Sequence, residues 1–579
     1  MQQSRLLVVL AILFVSIGVV IFSLSRAGEA AARPGYPPTR QRYWFESAPL
    51  SGKGPWVVRA YFQNREQVNH VAERFEPWEV NLQEGYLVLE VDEQEYQWLT
   101  DLGFKVEIED ALTAELNFPI FALPGQTSGI PGFSCYRTVE ELLASAQQIA
   151  NQFPNLATLI DIGDSWDKTE FGADAGYNLI VLRLTNIQTP GPKPKLIVLS
   201  TIHAREYAPT ELNARFGEYL VANYGTDPDV TWLLDDTEIH LILLANPDGR
   251  KRAETNQFWR KNVNNNYCAD TDNRGADLNR NFEFSWDCCG GSSDNPCDET
   301  YHGFDRASEP ETQAIQNYVR SIVPDERNDS LTSSAPDDTS GVFIDLHSYG
   351  SLVLWPWGFS NSLAPNHAEL QTLGRKLSYF NNYFPRQAIS LYPTDGTSDD
   401  FAYGELGLAA YAFELGTDFF QDCSIFENTI LPDNLSALIY AARITRTPYQ
   451  TPSGPDSLSL AISPTILLKG EITGISATID DTRFVGSERT QNIAEAVYFI
   501  DVPPWITSTV PISGSLTALD GNFDENVEGV SGIIDSTHLI PRRHSVFVRG
   551  QDTSGSWGPL SAVFLTIIDQ QSYLPLLMK

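Results

Sequence analysis

Hydrophobic and polar positions follow three successive rhythms along this chain. Between residues 56 and 110, "WVVRAYF", "WEVNL", "YLVLEV" and "KVEIE" read as strands, and "REQVNHVAERF" and "EQEYQWLTDLG" as helices. The order strand, helix, strand, strand, helix, strand predicts a small open α/β sandwich. From 135 to 450 the strongest runs are nearly continuous: "KPKLIVLSTI" (193–202), "EIHLILLAN" (238–246), "GVFIDLHSY" (341–349) and "LAAYAFEL" (408–415). Amphipathic stretches such as "TVEELLASAQQIANQF" and "PTELNARFGEYLVANYG" lie between them. Strands apolar on both faces and alternating with helices predict an α/β fold, a mixed, mostly parallel sheet with helices on both faces. After 458 the chain turns to Thr, Ser, Val and Ile runs broken by "DDT", "PISGS" and "ALDGNFDEN". That pattern predicts a β-sandwich of immunoglobulin-like type.

These rhythms divide the chain into 33–117 (the small α/β unit with its linker), a Pro/Gly-rich connector at 118–134, the large α/β unit at 135–450, the β-sandwich at 451–570 and a short apolar tail at 571–579. Residues 1–32 carry Arg5, an uncharged apolar run from Leu6 to Leu24 and small residues from Ala27 to Ala32. This is the pattern of a secretory signal, so the body is expected to be exported in the bacterial manner. An uncleaved N-terminal anchor is the second reading, and no span is expected once the signal is removed.

Charge narrows the partners. With 74 acidic and 39 basic residues the net charge is −35, which repels phosphate backbones and argues against nucleic acid. Six cysteines in an exported chain predict disulfides, with fifteen pairings open and too few bridges to frame the fold. A Cys-only zinc site in the loop from Cys288 to Cys297 is the less favoured alternative.

Ligands of open parallel sheets gather outside the carboxyl ends of the strands. His203 and Glu206 follow the run 193–202, His347 ends the run beginning at 341, and Glu414 ends the run beginning at 408. Taken singly, an HxxE pattern is usually a surface helix and a buried histidine is usually hydrogen-bonded core. Three strands delivering such residues to one sheet edge point instead to a metal centre. Two His and one Glu form a zinc set that leaves a position open for water.

In order along the chain stand "HAREYAPTE", "WRKN", "GADLNRNF", "YHGFDRASEPET", "DLHSYG", "YPTDGTSDDFAYG" and "AYAFELG". Residues 135–450 thereby resemble the zinc metallocarboxypeptidases, the family of the A- and B-type enzymes and their secreted bacterial relatives. Residues 55–110 are similar, more weakly, to the pro-domain of that family. The resemblance implies a monomeric exopeptidase acting on the C-termini of peptides and proteins, with one Zn²⁺ held by His203, Glu206 and His347. It implies that Asp277 orients His203, that Glu414 is the general base and that Arg260 stabilises the oxyanion. Arg280 and Asn279 would take the terminal carboxylate, Tyr392 would close over it, and Arg205 and Tyr349 would line the next subsite. Asp399 falls where B-type members carry an acidic selector, which favours C-terminal Arg or Lys with tolerance of apolar residues.

Between Lys105 and Arg137 there is no Lys or Arg, so a trypsin-like protease has no target for releasing the N-terminal unit. "DTDNRGADLNRN" fails as a calcium loop, because Arg274 stands where an oxygen ligand belongs and Asn281 where the loop needs a Glu. Two other functions use parts of the same pattern. A zinc amidase or endopeptidase acting on cell-wall peptides would not need Arg280 and Tyr392. A non-catalytic peptide-binding relative would be expected to lose a metal ligand or Glu414. The β-sandwich is either a module that binds a surface or polymer, or a stabilising accessory.

Overall fold

The computed structural model describes residues 54–569 apart from 118–120, 173–174, 256, 270–272, 489 and 507. The signal-like segment, the linker up to residue 53 and the tail at 571–579 lie outside the described residues. No helix among the described residues is long and apolar enough to cross a membrane.

The N-terminal unit is a four-stranded antiparallel sheet of β1 (Trp56–Tyr61), β2 (Glu79–Asn81), β3 (Tyr86–Val91) and β4 (Lys105–Ile108), in the order β2-β3-β1-β4. Side chains alternate across a strand, so β1 and β3 each present two faces. Val58, Leu87 and Leu89 pack with Val68, Val71 and Leu99 of the two helices Arg65–Ala72 and Glu93–Asp101. Val57, Tyr86 and Val88 point the other way and join the core of the large unit. Both faces are therefore buried, which is why "WVVRAY" and "YLVLEV" carry so few polar residues. A short helix, Asp110–Leu116, follows β4 and was not predicted.

The large unit holds an eight-stranded sheet: β5 (Ala157–Asp164), β6 (Asn178–Leu184), β7 (Lys195–Ser200), β8 (Glu238–Ile242), β9 (Val342–His347), β10 (Leu352–Trp355), β11 (Phe384–Gln387) and β12 (Ala409–Glu414). Its order is β11-β10-β12-β9-β7-β8-β6-β5. Four pairings are parallel and three antiparallel, so the sheet is mixed and only just mostly parallel. The parallel block β12-β9-β7-β8 is formed by the four apolar runs read from the sequence. The antiparallel pairings involve β5, β6 and β10, which hydrophobicity alone did not single out. Helix Val139–Gln152 begins with a capping box, in which Thr138 accepts from the Glu141 amide and Glu141 from that of Thr138.

The C-terminal unit contains β13 (Asp456–Ser463), β14 (Ile466–Leu468), β15 (Ile472–Asp480), β16 (Ile493–Ile500), β17 (Ile512–Ala518), β18 (Val527–Asp535), β19 (Arg543–Asp552) and β20 (Ser561–Ile568). β17 pairs with β18 on one side and β16 on the other, so the two halves form one curled sheet. Ile479, Ile493, Val530 and Val546 belong to its own core, whereas Phe547, Leu560 and Ala562 pack into the core of the large unit. All six cysteines are bridged, as Cys135–Cys423, Cys268–Cys297 and the adjacent pair Cys288–Cys289.

Candidate active site

Three neighbouring parallel strands, β12, β9 and β7, end on one edge of the sheet. Glu414 closes β12 directly opposite His347, which closes β9. After β7 the chain turns sharply at Thr201, a non-glycine residue at φ 62° whose hydroxyl donates to the Leu243 carbonyl at 3.1 Å. That turn delivers His203, and Glu206 follows as the residue preceding helix Tyr207–Asn223. The buried Arg250 fixes this corner by donating to the Glu206 carbonyl at 3.0 Å.

His203, Glu206 and His347 are all buried, and one ligand atom from each lies within 4.8 Å of the others. His203 Nδ1 is 2.7 Å from Glu206 Oε1 and 3.1 Å from His347 Nδ1. The opposite ring nitrogens each face a carboxylate: His203 Nε2 is 3.2 Å from Asp277 Oδ1, and His347 Nε2 is 3.0 Å from Asp345 Oδ2. A carboxylate draws the imidazole proton to the nitrogen it faces. Both Nδ1 atoms then converge on Glu206, that of His203 at 2.7 Å from Oε1 and that of His347 at 3.3 Å from Oε2, an oxygen that accepts no hydrogen bond. Converging lone pairs and an unmatched buried carboxylate repel each other unless a cation lies between them, so the donor set fits a divalent metal. Burial opposes charge on Glu206; with no ion between them, protonated histidines would supply the balancing charge and pull its carboxyl down to about 2. Burial also opposes charge on Asp277, and Arg260, Arg280 and His203 hold it well below the usual carboxylate range.

Around this cluster the structure gathers most of the residues singled out from sequence. Arg260 is buried and donates to Asp277 Oδ2 through Nε at 3.1 Å and Nη2 at 2.7 Å. Glu414 lines the same cavity as His203, Asn279, Arg280, His347, Tyr392 and Asp399. Burial pushes the Glu414 carboxyl up to about 7; the histidines and Arg260 oppose the shift while Glu206 adds to it. Arg280 is anchored by donating Nε to the Gly291 carbonyl at 2.9 Å and Nη1 to the Asn279 carbonyl at 2.7 Å. The Asn279 amide is turned to His347 Nε2 at 3.3 Å, and its oxygen accepts from the Ser398 amide at 2.9 Å. Asp399 is buried, accepts from the Thr397 hydroxyl at 2.8 Å, and is raised by burial and by the nearby Asp345. Arg205 and Tyr349 do not line this cavity. Arg205 is buried over the Phe419 ring and donates to Glu299 at 2.8 Å, and Tyr349 packs edge-on against the same ring.

One lining residue comes from the N-terminal unit. Glu76, just before β2, pairs with Arg260, and Tyr392 donates to its other oxygen at 3.2 Å. A carboxylate oxygen of Glu76 lies within 4.8 Å of ligand atoms on His203 and Asp277. Arg74 donates twice to Asp298, at 3.0 and 3.1 Å, and Trp78 stacks on Phe258 at 5.4 Å, so the chain on both sides of Glu76 is held against the large unit. The remaining cavity is about 50 Å³, room for a few waters but not for an amino-acid residue.

Comparison with known proteins agrees with this geometry. The zinc carboxypeptidase family model matches residues 142–435. The chain belongs to the zinc carboxypeptidase family. It is 30% identical over 349 residues to a zinc carboxypeptidase of Saccharothrix mutabilis subsp. capreolus, spanning 58% of this chain and 75% of that one. It is also 30% identical over 303 residues to mouse carboxypeptidase A4 and over 290 residues to bovine carboxypeptidase B. The matches span 64% and 63% of those two relatives and about half of this chain (50% and 48%). Among solved structures, carboxypeptidase A from Helicoverpa armigera aligns with TM-score 0.56 at 22% identity, covering 68% of this chain and 98% of that one, a likeness of fold. Within the zinc carboxypeptidase family one catalytic zinc is used, and the cluster of His203, Glu206 and His347 could hold it.

Two residues of this zinc carboxypeptidase site were not found from sequence. Asp345 could have been: an aspartate two before His347 in "VFIDLH" shares its strand face and interrupts a buried apolar run. Glu76 could not, because "RFEPWEV" holds no sign of what it docks against.

Proposed function

We propose that this chain is a secreted zinc-dependent exopeptidase that hydrolyses the C-terminal peptide bond of peptides and proteins, and that the form described here is latent. The observation that carries the reading is the convergence of two imidazole nitrogens and a buried carboxylate beside Glu414, with Arg280 and Tyr392 in the same cavity. A zinc ion bound to His203, Glu206 and His347 would supply Lewis-acid polarisation and make water more acidic.

The chain's own groups account for the rest. Glu414, held near neutrality by burial, takes a proton from the attacking water and returns it to the leaving nitrogen. Arg260 turns its guanidinium to the oxygen on which negative charge develops, with Asp277 bracing its other edge. Arg280, braced by two backbone carbonyls, receives the free terminal carboxylate, and the Tyr392 hydroxyl closes over it. Asp399 sits at the pocket wall and suits a basic C-terminal side chain, while Leu354 and Ala412 leave part of that wall apolar. Arg280 and Tyr392 favour an exopeptidase over an endopeptidase, which needs no grip on a chain end. Glu76 holds Arg260 and Tyr392 in the present form, so the N-terminal unit must withdraw before substrate enters.

The test is a peptide set ending in Arg, Lys, Leu, Phe and Glu, incubated with the chain after limited proteolysis of the 118–134 connector, with and without chelator. Stepwise loss of single C-terminal residues, abolished by chelator and restored by zinc, is the expected result. Internal cleavage, or cleavage indifferent to chelator, would contradict the proposal.

A further inference from the structure

The large unit and the curled sheet enclose a second cleft that shares no lining residue with the catalytic cavity. Its volume is about 550 Å³, and its walls include Arg443, Arg446, Trp505, Arg549 and Trp557. Arg443 and Arg446 lie at and just after the end of helix Leu431–Ile444, Trp505 in the β16–β17 loop, Arg549 on β19 and Trp557 in the β19–β20 loop. Two docked units are therefore needed to form the cleft.

Three arginines, Arg443, Arg446 and Arg549, line the cleft, and no acidic residue does. In a chain with 74 acidic and 39 basic residues, the cations without a carboxylate that are buried elsewhere, such as Arg250, Lys261 and Arg327, donate to backbone carbonyls instead. Arg443 has a carboxylate, donating to Asp229 at 2.5 Å as well as to the Ser561 hydroxyl at 3.2 Å. Neither Arg446 nor Arg549 has a hydrogen bond or ion pair with a carboxylate among the described residues. Each instead lies over an indole, Arg446 at 4.7 Å from the Trp505 ring and Arg549 at 4.1 Å from the Trp557 ring. Arg549 Nε is buried with no acceptor. Burial lowers both guanidinium pKa values, that of Arg549 to about 10, against weak attraction from Asp236 on the Arg446 side and Glu495 on the Arg549 side. Cation–π contact offsets only part of the cost of desolvating a guanidinium. Two such groups facing one cleft hold unused donor capacity that an oxyanion would satisfy.

We infer that this interdomain cleft binds an oxyanion, with Arg446 and Arg549 as its clamp, and that the volume and the indole walls suit a carboxylated or sulfated sugar. The cleft takes no part in peptide hydrolysis and does not depend on the catalytic assignment. Occupancy would tie the two units together, because the clamp draws one arginine from each.

The test uses the full chain and three probes: inorganic sulfate, glucuronic acid and neutral maltose, titrated by calorimetry and by thermal shift. Saturable binding of glucuronic acid at least tenfold tighter than of sulfate, with none of maltose, is expected and identifies a sugar acid. Equal binding of sulfate and glucuronic acid still supports the oxyanion clamp and identifies the free anion as sufficient. R446Q and R549Q should each weaken binding at least tenfold, while R549K, which keeps the charge, should stay within about threefold. Melting temperatures without anion, unchanged between R549K and R549Q, would show that folding is intact. No saturable binding of either anion, or undiminished binding in both Gln variants, would overturn the inference.

Discussion

Replacing Glu76 should unlock the site without touching its chemistry. The Glu76 side chain is 15% exposed and Arg260 is 2% exposed, so their pairing is shielded from solvent. Tyr392 adds a hydrogen bond at 3.2 Å. A shielded ion pair and a hydrogen bond to the same carboxylate together contribute about 2–3 kcal/mol net. Arg74–Asp298 and Trp78–Phe258 remain in the variant, but they act equally before and after the change. The closed-to-open equilibrium should therefore shift by the strength of the Glu76 contacts alone, roughly 30- to 150-fold at 1.4 kcal/mol per tenfold. Uncleaved E76A chain should hydrolyse a small C-terminal substrate at least tenfold faster than uncleaved wild type, with E76Q intermediate because it keeps the volume and loses the charge. After the connector is cut and the N-terminal unit removed, the three proteins should be indistinguishable. Equal rates for the uncleaved forms would refute a closing role for this carboxylate.

Three further outcomes follow from the geometry. D399A should lower turnover of C-terminal Arg and Lys about 10- to 100-fold relative to Leu, since one buried charge-assisted bond is lost; an unchanged Arg/Leu ratio in a competition assay would contradict this. Glu311 is fully buried, accepts from the Trp166 amide at 2.7 Å, and is pushed by burial and by Glu309 from 4.5 to about 8. Between those values the folded form keeps a proton that the unfolded chain releases, so stability falls as pH rises, by about 1.4 kcal/mol per unit from this group. E311Q should remove that share of the slope in urea unfolding between pH 5 and pH 7, and an identical slope would be evidence against it. Cys135–Cys423 closes a 288-residue loop, and the paired C135S/C423S change should cost roughly 3–5 kcal/mol in the denaturant midpoint analysis, whereas loss of less than about 1 kcal/mol would mean the bridge is incidental.

The candidate metal donors were legible because they end, or closely follow, strands buried on both faces, where an apolar run stops at polar letters. Hydrophobic rhythm finds such strands easily, and their parallel order follows from the helices between them. It missed β5, β6, β10 and β11 for a physical reason. These strands occupy the two flanks of the sheet, and β5 reads "ATLIDIGD", with acids and a glycine that a half-exposed flank tolerates. The corner formed by β17 was likewise invisible, since pairing on both edges leaves no compositional mark. Arg280 and Tyr392 were found through motif spacing, yet their present contacts were not, because Glu76 arrives from another unit and docking faces have no period. Arg205 and Tyr349, expected at the next subsite outward, both pack on Phe419 outside this cavity.

The most direct measurement is the metal content of the purified chain, determined by plasma mass spectrometry beside that of H203A, E206A and H347A. About one zinc per wild-type chain is expected, with a loss of at least tenfold in retained zinc for each variant and folded far-UV spectra throughout. Wild-type chain that takes up no zinc, or variants that keep a full equivalent, would contradict a centre built from these three side chains.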